Sequence, residues 1–212
     1  MTRQHSESLV PSLASVALID TVRRAKTSQV SAAEERVFRL FNDRSDAIHV
    51  PVWAVMQSGS LAAVFVVAGD LLRRGQRRRA VAAAIAGTIA WGGVKKVKPM
   101  IGRGRPEHHL DEVTVRGEAQ SGLGYPSGHS AVAFTLALIA TGESSRAKQV
   151  AALTVAGVTA AARMYVGAHL PLDIAGGVAI GVLGGRAANA ALVDEGRRGS
   201  NGRHGRSNCS TH

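Results

Sequence analysis

The sequence predicts an all-α fold, a polytopic membrane bundle of about five transmembrane helices plus an N-terminal amphipathic interfacial helix. Three observations carry this. Five apolar blocks, at residues 51–72, 80–94, 128–141, 149–162 and 174–193, follow one another along the chain. They are rich in Ala and Gly, which suits close helix packing in a bilayer. Their connectors alternate in character, one set being short or basic without catalytic-looking residues and the other, 95–126 and 167–173, carrying such residues, as expected when alternate connectors lie on opposite sides of a membrane.

Bulk composition sets limits without deciding. The chain has 212 residues, enough for one domain and too few for two large ones. An apolar share of 45% and a mean hydropathy of +0.05 lie between a soluble enzyme and a membrane transporter. The net charge of +11 implies affinity for anions. Much of the excess sits in Arg73, Arg74, Arg77, Arg78 and Arg79, and in a tail with Arg197, Arg198, Arg203 and Arg206. Aromatic residues make up only 4%, and no base-reading module matches, so no nucleic-acid partner is expected. The single Cys209 excludes an intrachain disulfide.

In chain order, residues 1–28 are polar and aperiodic and read as a disordered tail, as does the basic stretch 195–212. The domain is thus expected over 29–194. The run from Leu9 to Ile19 is too short for a signal peptide, is interrupted by Pro11 and follows Glu7. Residues 32–46 set Val37, Phe38, Leu40 and Phe41 among charges, an amphipathic helix either lying on the membrane surface or capping a core. Of the five blocks, only 51–72 reaches the roughly 20-residue spanning length by itself. The others must extend through Lys95 and Lys96, His129, Arg163, or Asp173 and Arg186, and ionisable groups there are functional candidates. The positive-inside rule puts 72–79, 143–148 and the C-terminal tail in the cytoplasm, and 95–126 and 167–173 outside; Arg36, Arg39 and Arg44 on the outer side weigh against it. The expected location is the plasma membrane, with the site facing outward.

Three clusters fall on the outward connectors. In the first, Lys98 and Arg105 flank Pro99, Gly102 and Gly104, which end a helix and hold two cations in a tight loop. The second is Tyr125-Pro-Ser-Gly-His129, just before an apolar helix. A helix N-terminus favours anions, Gly128 admits close approach to the backbone, Ser127 can cap and donate, and His129 exchanges protons near neutrality. The third runs from Arg163 through His169 to Asp173. Gly167 closes one helix and Pro171 opens the next, so that Asp173 can accept a ring N–H of His169 and raise the basicity of the other nitrogen.

Lys-x6-Arg-Pro, then Pro-Ser-Gly-His, then Arg-x5-His-x3-Asp resembles the three-part signature of the type-2 phosphatidic acid phosphatase superfamily. One position departs: the family usually has Ser before the motif-three Arg, and this chain has Ala162. The resemblance implies metal-independent hydrolysis of a phosphate ester or diphosphate in two steps, with no cofactor. His169 would attack phosphorus to give a phosphohistidine, with Asp173 holding its ring. Lys98, Arg105 and Arg163 would neutralise the phosphoryl oxygens, and Ser127 and the Gly128 N–H would add donors. His129 would protonate the leaving oxygen and then activate water. The expected partners are a lipid phosphate substrate and the bilayer, the substrate being a polyprenyl phosphate or diphosphate or a glycerolipid phosphate. Two alternatives share the signature: a vanadate-dependent haloperoxidase-like enzyme, and a membrane protein that binds lipid phosphate without turnover.

Other patterns carry less. Gly102-Arg-Gly104 and Gly122-Leu-Gly124 complete no nucleotide-binding loop. Glu107, His108, His109, Asp111 and Glu112 match no defined metal spacing, so no metal site is expected. Asn208-Cys-Ser210 fits a glycosylation triplet only by accident if the tail is cytoplasmic.

Overall fold

The computed structural model describes residues 2–27, 29–118 and 120–207, with side chains from residue 9 to residue 194. Eight α-helices and no strand occur among them: α1 (Thr2–Lys26), α2 (Ala32–Asn42), α3 (His49–Met56), α4 (Leu61–Arg73), α5 (Arg77–Ile101), α6 (Gly128–Thr141), α7 (Arg146–Tyr165) and α8 (Pro171–Ser207). The all-helical expectation holds. All five apolar blocks are helical, although the first is split.

That first block, read from the sequence as the one self-sufficient span, is broken. Helix α3 runs into a 3-10 turn at Gln57–Gly59, and α4 restarts after Ser60 with a 67° bend. The Ser60 hydroxyl accepts the Ala63 N–H and caps the new helix. Packing explains the break: a Cβ on Gly59 would lie 2.5 Å from the His129 carbonyl oxygen, so the turn is pressed against the start of α6. By length and hydropathy, two described helical stretches can cross a membrane, Arg77–His108 and Pro171–Asp194, with the bent pair as a third. Helix α6 is apolar but has only 14 residues, and α7 carries Arg146, Lys148 and Arg163.

The core lies among α4, α5, α6 and α8, where Val64, Leu71, Ala83, Val94, Val132, Leu136 and Ile139 are buried together. Helices α6 and α8 approach closely because α8 offers glycines at every fourth position. A Cβ on Gly181 would meet the Ala131 carbonyl, and one on Gly185 the Leu138 side chain. At the end away from the three clusters, Arg79 is buried, donates to the Ile139 carbonyl at the C-terminus of α6 and pairs with Glu143 at 2.9 Å. One of the basic cluster's arginines is therefore a helix cap.

Helix extends into both stretches read from the sequence as tails. Residues 2–26 are helical, and Ala14, Thr21 and Ala25 of α1 are buried. The run from Leu9 to Ile19 was the signal: α1 sets small residues against neighbouring helices and leaves Leu9, Leu13, Val16 and Ile19 exposed. At the other end the backbone of α8 stays helical to Ser207, through the stretch read as a tail. Cys209 and the Asn208-Cys-Ser210 triplet lie outside the described residues. Between α1, α5 and α8 runs an apolar groove of about 1180 Å³, lined by residues such as Leu18, Val22, Ile85, Ile89 and Ile180 and reaching Tyr125.

Helix α2 covers the end of the bundle that bears the clusters. Ser31 caps it, Phe38 is fully buried against Met164 and Leu170, and Asn42 is fully buried. The Asn42 amide donates to the carbonyls of Thr114, Met164 and Tyr165 and accepts the Thr114 N–H, tying helix, loop and α7 together. Of the two readings left open for this amphipathic helix, the cap is thus occupied, while Val37 and Leu40 remain exposed. Replacing Phe38 by Ala removes a ring from a fully buried site and should cost about 3–5 kcal/mol of stability. A lowered thermal midpoint in detergent measures this, and an unchanged midpoint would contradict the packing.

Candidate active site

The three clusters meet at one end of the bundle. Helix α5 ends at Gly102, whose φ of +76° suits glycine, and the chain turns into the loop that carries Arg103 and Arg105. Helix α6 starts at Gly128 with Ser127 as its N-cap, and the Ser127 N–H is bonded to the Asp173 carbonyl at 2.9 Å. Helix α7 ends just after Arg163, and His169 sits in the short crossing before Pro171 opens α8. The second and third clusters, far apart in sequence, are therefore joined by a backbone hydrogen bond.

The cations are fixed in an unusual way. Lys98 Nζ donates to the carbonyls of Leu123 and Gly124 at 2.7 and 2.8 Å. Arg105 donates to the carbonyls of Ala168 and Ser121 at 2.8 and 3.3 Å, and Arg163 Nη1 lies 3.1 Å from the Met56 sulfur. Neutral acceptors aim these groups without neutralising them. Arg105 and Arg163 are buried, and the Nε–H of each has no acceptor. A buried donor left unpaired is costly, and an anion between the guanidinium groups would satisfy both.

His169 is buried in this field. Burial, together with Arg163, Lys98, Arg105 and the His129 ring, holds its imidazole well below the usual histidine range. The ring is therefore neutral near pH 7, the form a nucleophile requires. Its Nδ1 lies 3.6 Å from Asp173 Oδ2, adjacent but longer than a hydrogen bond, and that oxygen already accepts the Leu170 N–H at 2.9 Å. The orienting contact expected between the two is thus a close approach here. Gly124 is required at its position: a Cβ would lie 2.6 Å from the Gly104 carbonyl oxygen and 2.9 Å from Asp173 Oδ2. Ser127 is buried, with its hydroxyl accepting from the Ser130 N–H and hydroxyl, while Gly128 and His129 are half-buried.

Two participants were not singled out from sequence. Arg103 is fully buried and bridges Asp173 Oδ1 at 3.1 Å and Glu34 Oε2 at 2.9 Å. Glu34 also accepts the Leu172 N–H at 3.0 Å, at the start of α8. Arg103 stood in plain view between two glycines; nothing in its spacing separates a bridge from a solvated anchor. Ala162, where the signature usually has Ser, is buried against Met56, Tyr165, Val166 and Ala168, so this chain fills the position with packing. Glu107 and His108 are exposed, and no group of three His, Cys, Asp or Glu that could hold a metal ion occurs among the described residues.

The PAP2 superfamily profile matches residues 78–197, more than half of the chain and all three clusters. The chain belongs to the PAP2 superfamily. It is a membrane phosphatase of the PAP2 type. Among solved structures, that of Aquifex aeolicus LpxE is similar, with a TM-score of 0.68 and 24% identity, covering 76% of this chain and 98% of that one. A PAP2-type phosphatidylglycerolphosphate phosphatase from Bacillus subtilis is similar at a TM-score of 0.61 and 20% identity, covering 84% of this chain and 96% of that one. Both likenesses establish the fold. Among curated protein sequences, none matches the chain.

The shift of His169 sets a pH dependence of stability. The folded ring is held neutral while the unfolded ring takes up a proton near pH 6.5, so this residue favours unfolding only below that value. Stability should fall as pH drops from 7.5 to 5.0, by at most about 1.4 kcal/mol per unit from this group. His169→Gln should flatten that slope in thermal melts across the same range; identical slopes would contradict the burial of a neutral ring.

Proposed function

We propose that this PAP2-type phosphatase hydrolyses a lipid phosphate or diphosphate through a phosphohistidine on His169. The observation that carries the reading is the convergence of Lys98, Arg105 and Arg163 on one neutral, buried imidazole, with two guanidinium Nε–H groups unpaired. Uncatalysed phosphate monoester hydrolysis is among the slowest of reactions, and fixed positive charge around the phosphoryl group is the main means of accelerating it.

In the first step His169 attacks phosphorus, the P–O bond to the lipid breaks, and His129 gives its proton to the departing oxygen. Lys98, Arg105 and Arg163 hold the equatorial oxygens, with the Ser127 hydroxyl and the Gly128 N–H as further donors. Asp173 steadies the His169 ring as positive charge develops on it. In the second step His129 takes a proton from water, which attacks the phosphohistidine, breaks the P–N bond and releases inorganic phosphate. Attack and leaving-group departure require His129 and His169 on opposite sides of the phosphoryl group.

A lipid substrate is supported by the apolar groove between α1, α5 and α8. It reaches Tyr125, four residues before His129, and offers an aliphatic tail a path beside the phosphate pocket. One of the similar solved structures is named for a lipid substrate as well, the phosphatidylglycerolphosphate phosphatase. A prenyl chain and a glycerolipid acyl chain would both fit a surface of Ala, Val, Ile and Leu. We assign the site to the extracytoplasmic side of the plasma membrane from the basic connectors at the opposite end, around Arg73, Arg74, Arg77 and Arg78.

Phosphate release from prenyl phosphates and diphosphates and from glycerolipid phosphates, in detergent and with excess chelator, tests the reading. Turnover should survive chelation, and His169→Ala should lose at least about 10³-fold in kcat. Strict dependence on a divalent ion would overturn the mechanism, and a wild type inactive on every substrate would favour a phosphate-binding protein. Arg163→Met removes a cation while keeping bulk and should cost about 10²–10³-fold in kcat/KM; retention of more than half of the activity would remove Arg163 from the site.

A further inference from the structure

We infer that Glu34, on the N-terminal helix α2, is a positioning residue for the reaction and acts through Arg103 on Asp173. The inference rests on the phosphatase reading and adds to it a part of the chain outside the matched residues 78–197.

The contacts form one continuous path. Both Glu34 oxygens are engaged: Oε1 takes Arg103 Nη1 at 3.0 Å and Oε2 takes Nη2 at 2.9 Å, a two-pronged pair. The same Arg103 Nη1 reaches Asp173 Oδ1 at 3.1 Å. The other Asp173 oxygen faces His169 Nδ1 and holds the Leu170 N–H, so the carboxylate has one oxygen for Arg103 and one for the histidine loop. Glu34 acts on that loop a second time, through its bond to the Leu172 N–H. The side chains of Arg103 and Asp173 are 0% exposed and that of Glu34 is 10% exposed, so these interactions are little screened.

Charge explains why Glu34 is needed. Arg103 with Asp173 alone would form a tight one-to-one pair, drawing the carboxylate toward the guanidinium and away from His169. A second carboxylate that spans Nη1 and Nη2 shares the Nη1 group with Asp173 and fixes the guanidinium plane. Asp173 is then held at one end by Arg103 and at the other by the Leu170 N–H, with its Oδ2 kept beside the ring. Loss of the Glu34 charge frees Arg103 to move onto Asp173, and a shift of about 1 Å at a nucleophile can cost 10²-fold in rate. The substrate touches none of these three groups on this account, so the effect belongs in kcat rather than in KM.

The test uses the full-length protein in detergent with whichever lipid phosphate it turns over. Glu34→Gln should lower kcat about 10- to 100-fold with KM changed less than about twofold, and Glu34→Asp should recover part of the loss. The same Glu34→Gln change is made in an Asp173→Asn background, where it should cost less than about twofold, because its route to His169 is already cut. Circular dichroism and thermal melts check that each variant is folded, and Arg103→Lys provides a second interruption of the path if Glu34→Gln does not fold. Its loss should likewise shrink in the Asp173→Asn background. A full-sized loss in both backgrounds, or melting changes with kcat per folded enzyme intact, would make the pair merely structural and overturn the inference. A wild type that turns over no lipid phosphate overturns the phosphatase reading and this inference together; wild-type turnover with additive losses overturns this inference alone.

Discussion

The structure turns on buried positive charge that neighbouring groups orient but do not cancel. Lys98 and Arg105 are held by main-chain carbonyls and Arg163 by a thioether, acceptors that fix direction and leave the charge in place. Gathering like charges inside a protein is unfavourable unless an anion completes the set. The rest of the fold supplies the means of holding them together. The end of α5, the N-terminus of α6 and the crossing from α7 to α8 are pinned to one another by short main-chain bonds such as Ser127 N–H to Asp173. Arg103 is the contrast: facing two carboxylates, it is neutralised, and it ties Asp173 to Glu34.

This division also accounts for the state of His169. A histidine beside carboxylates gains protons, whereas this one, buried among cations, is kept neutral. The field that would attract a phosphate thus also keeps the His169 ring unprotonated, and Asp173, drawn on by Arg103, does not reverse the effect. The bend between α3 and α4 contributes from the other side. It brings Met56 to Arg163 and the Gly59 backbone to His129, and Ser58 bonds Thr159 at 2.6 Å.

Much of this was legible in the sequence because each cluster is local. Lys98 with Arg105, Ser127 with His129, and His169 with Asp173 are each set by a few residues around a helix end, where Gly and Pro mark the turn. Their convergence followed from the alternation of helices and loops. What escaped was set by contacts between distant segments. The break at Ser60 comes from the fit of Gly59 against α6, which leaves hydropathy untouched. Helix α1 forms because Ala14, Thr21 and Ala25 meet neighbouring helices, a pattern of small residues too faint for a hydrophobic period. Arg79 looked like one more basic-loop residue until α6 ended beside it. Glu34 and Arg103 are separated by 69 residues, and only folded geometry pairs them.

Helix α2 bears on where the working unit begins. The family signature starts in α5, yet Phe38 fills a space under the histidine loop and Glu34 meets a guanidinium that no solvent reaches. A fragment trimmed to the recognisable motif region would leave a hole beside Leu170 and strand Arg103 with half of its counter-charge. A chain that can hold this site therefore includes α2 from its Ser31 cap, well upstream of any residue that would handle phosphate.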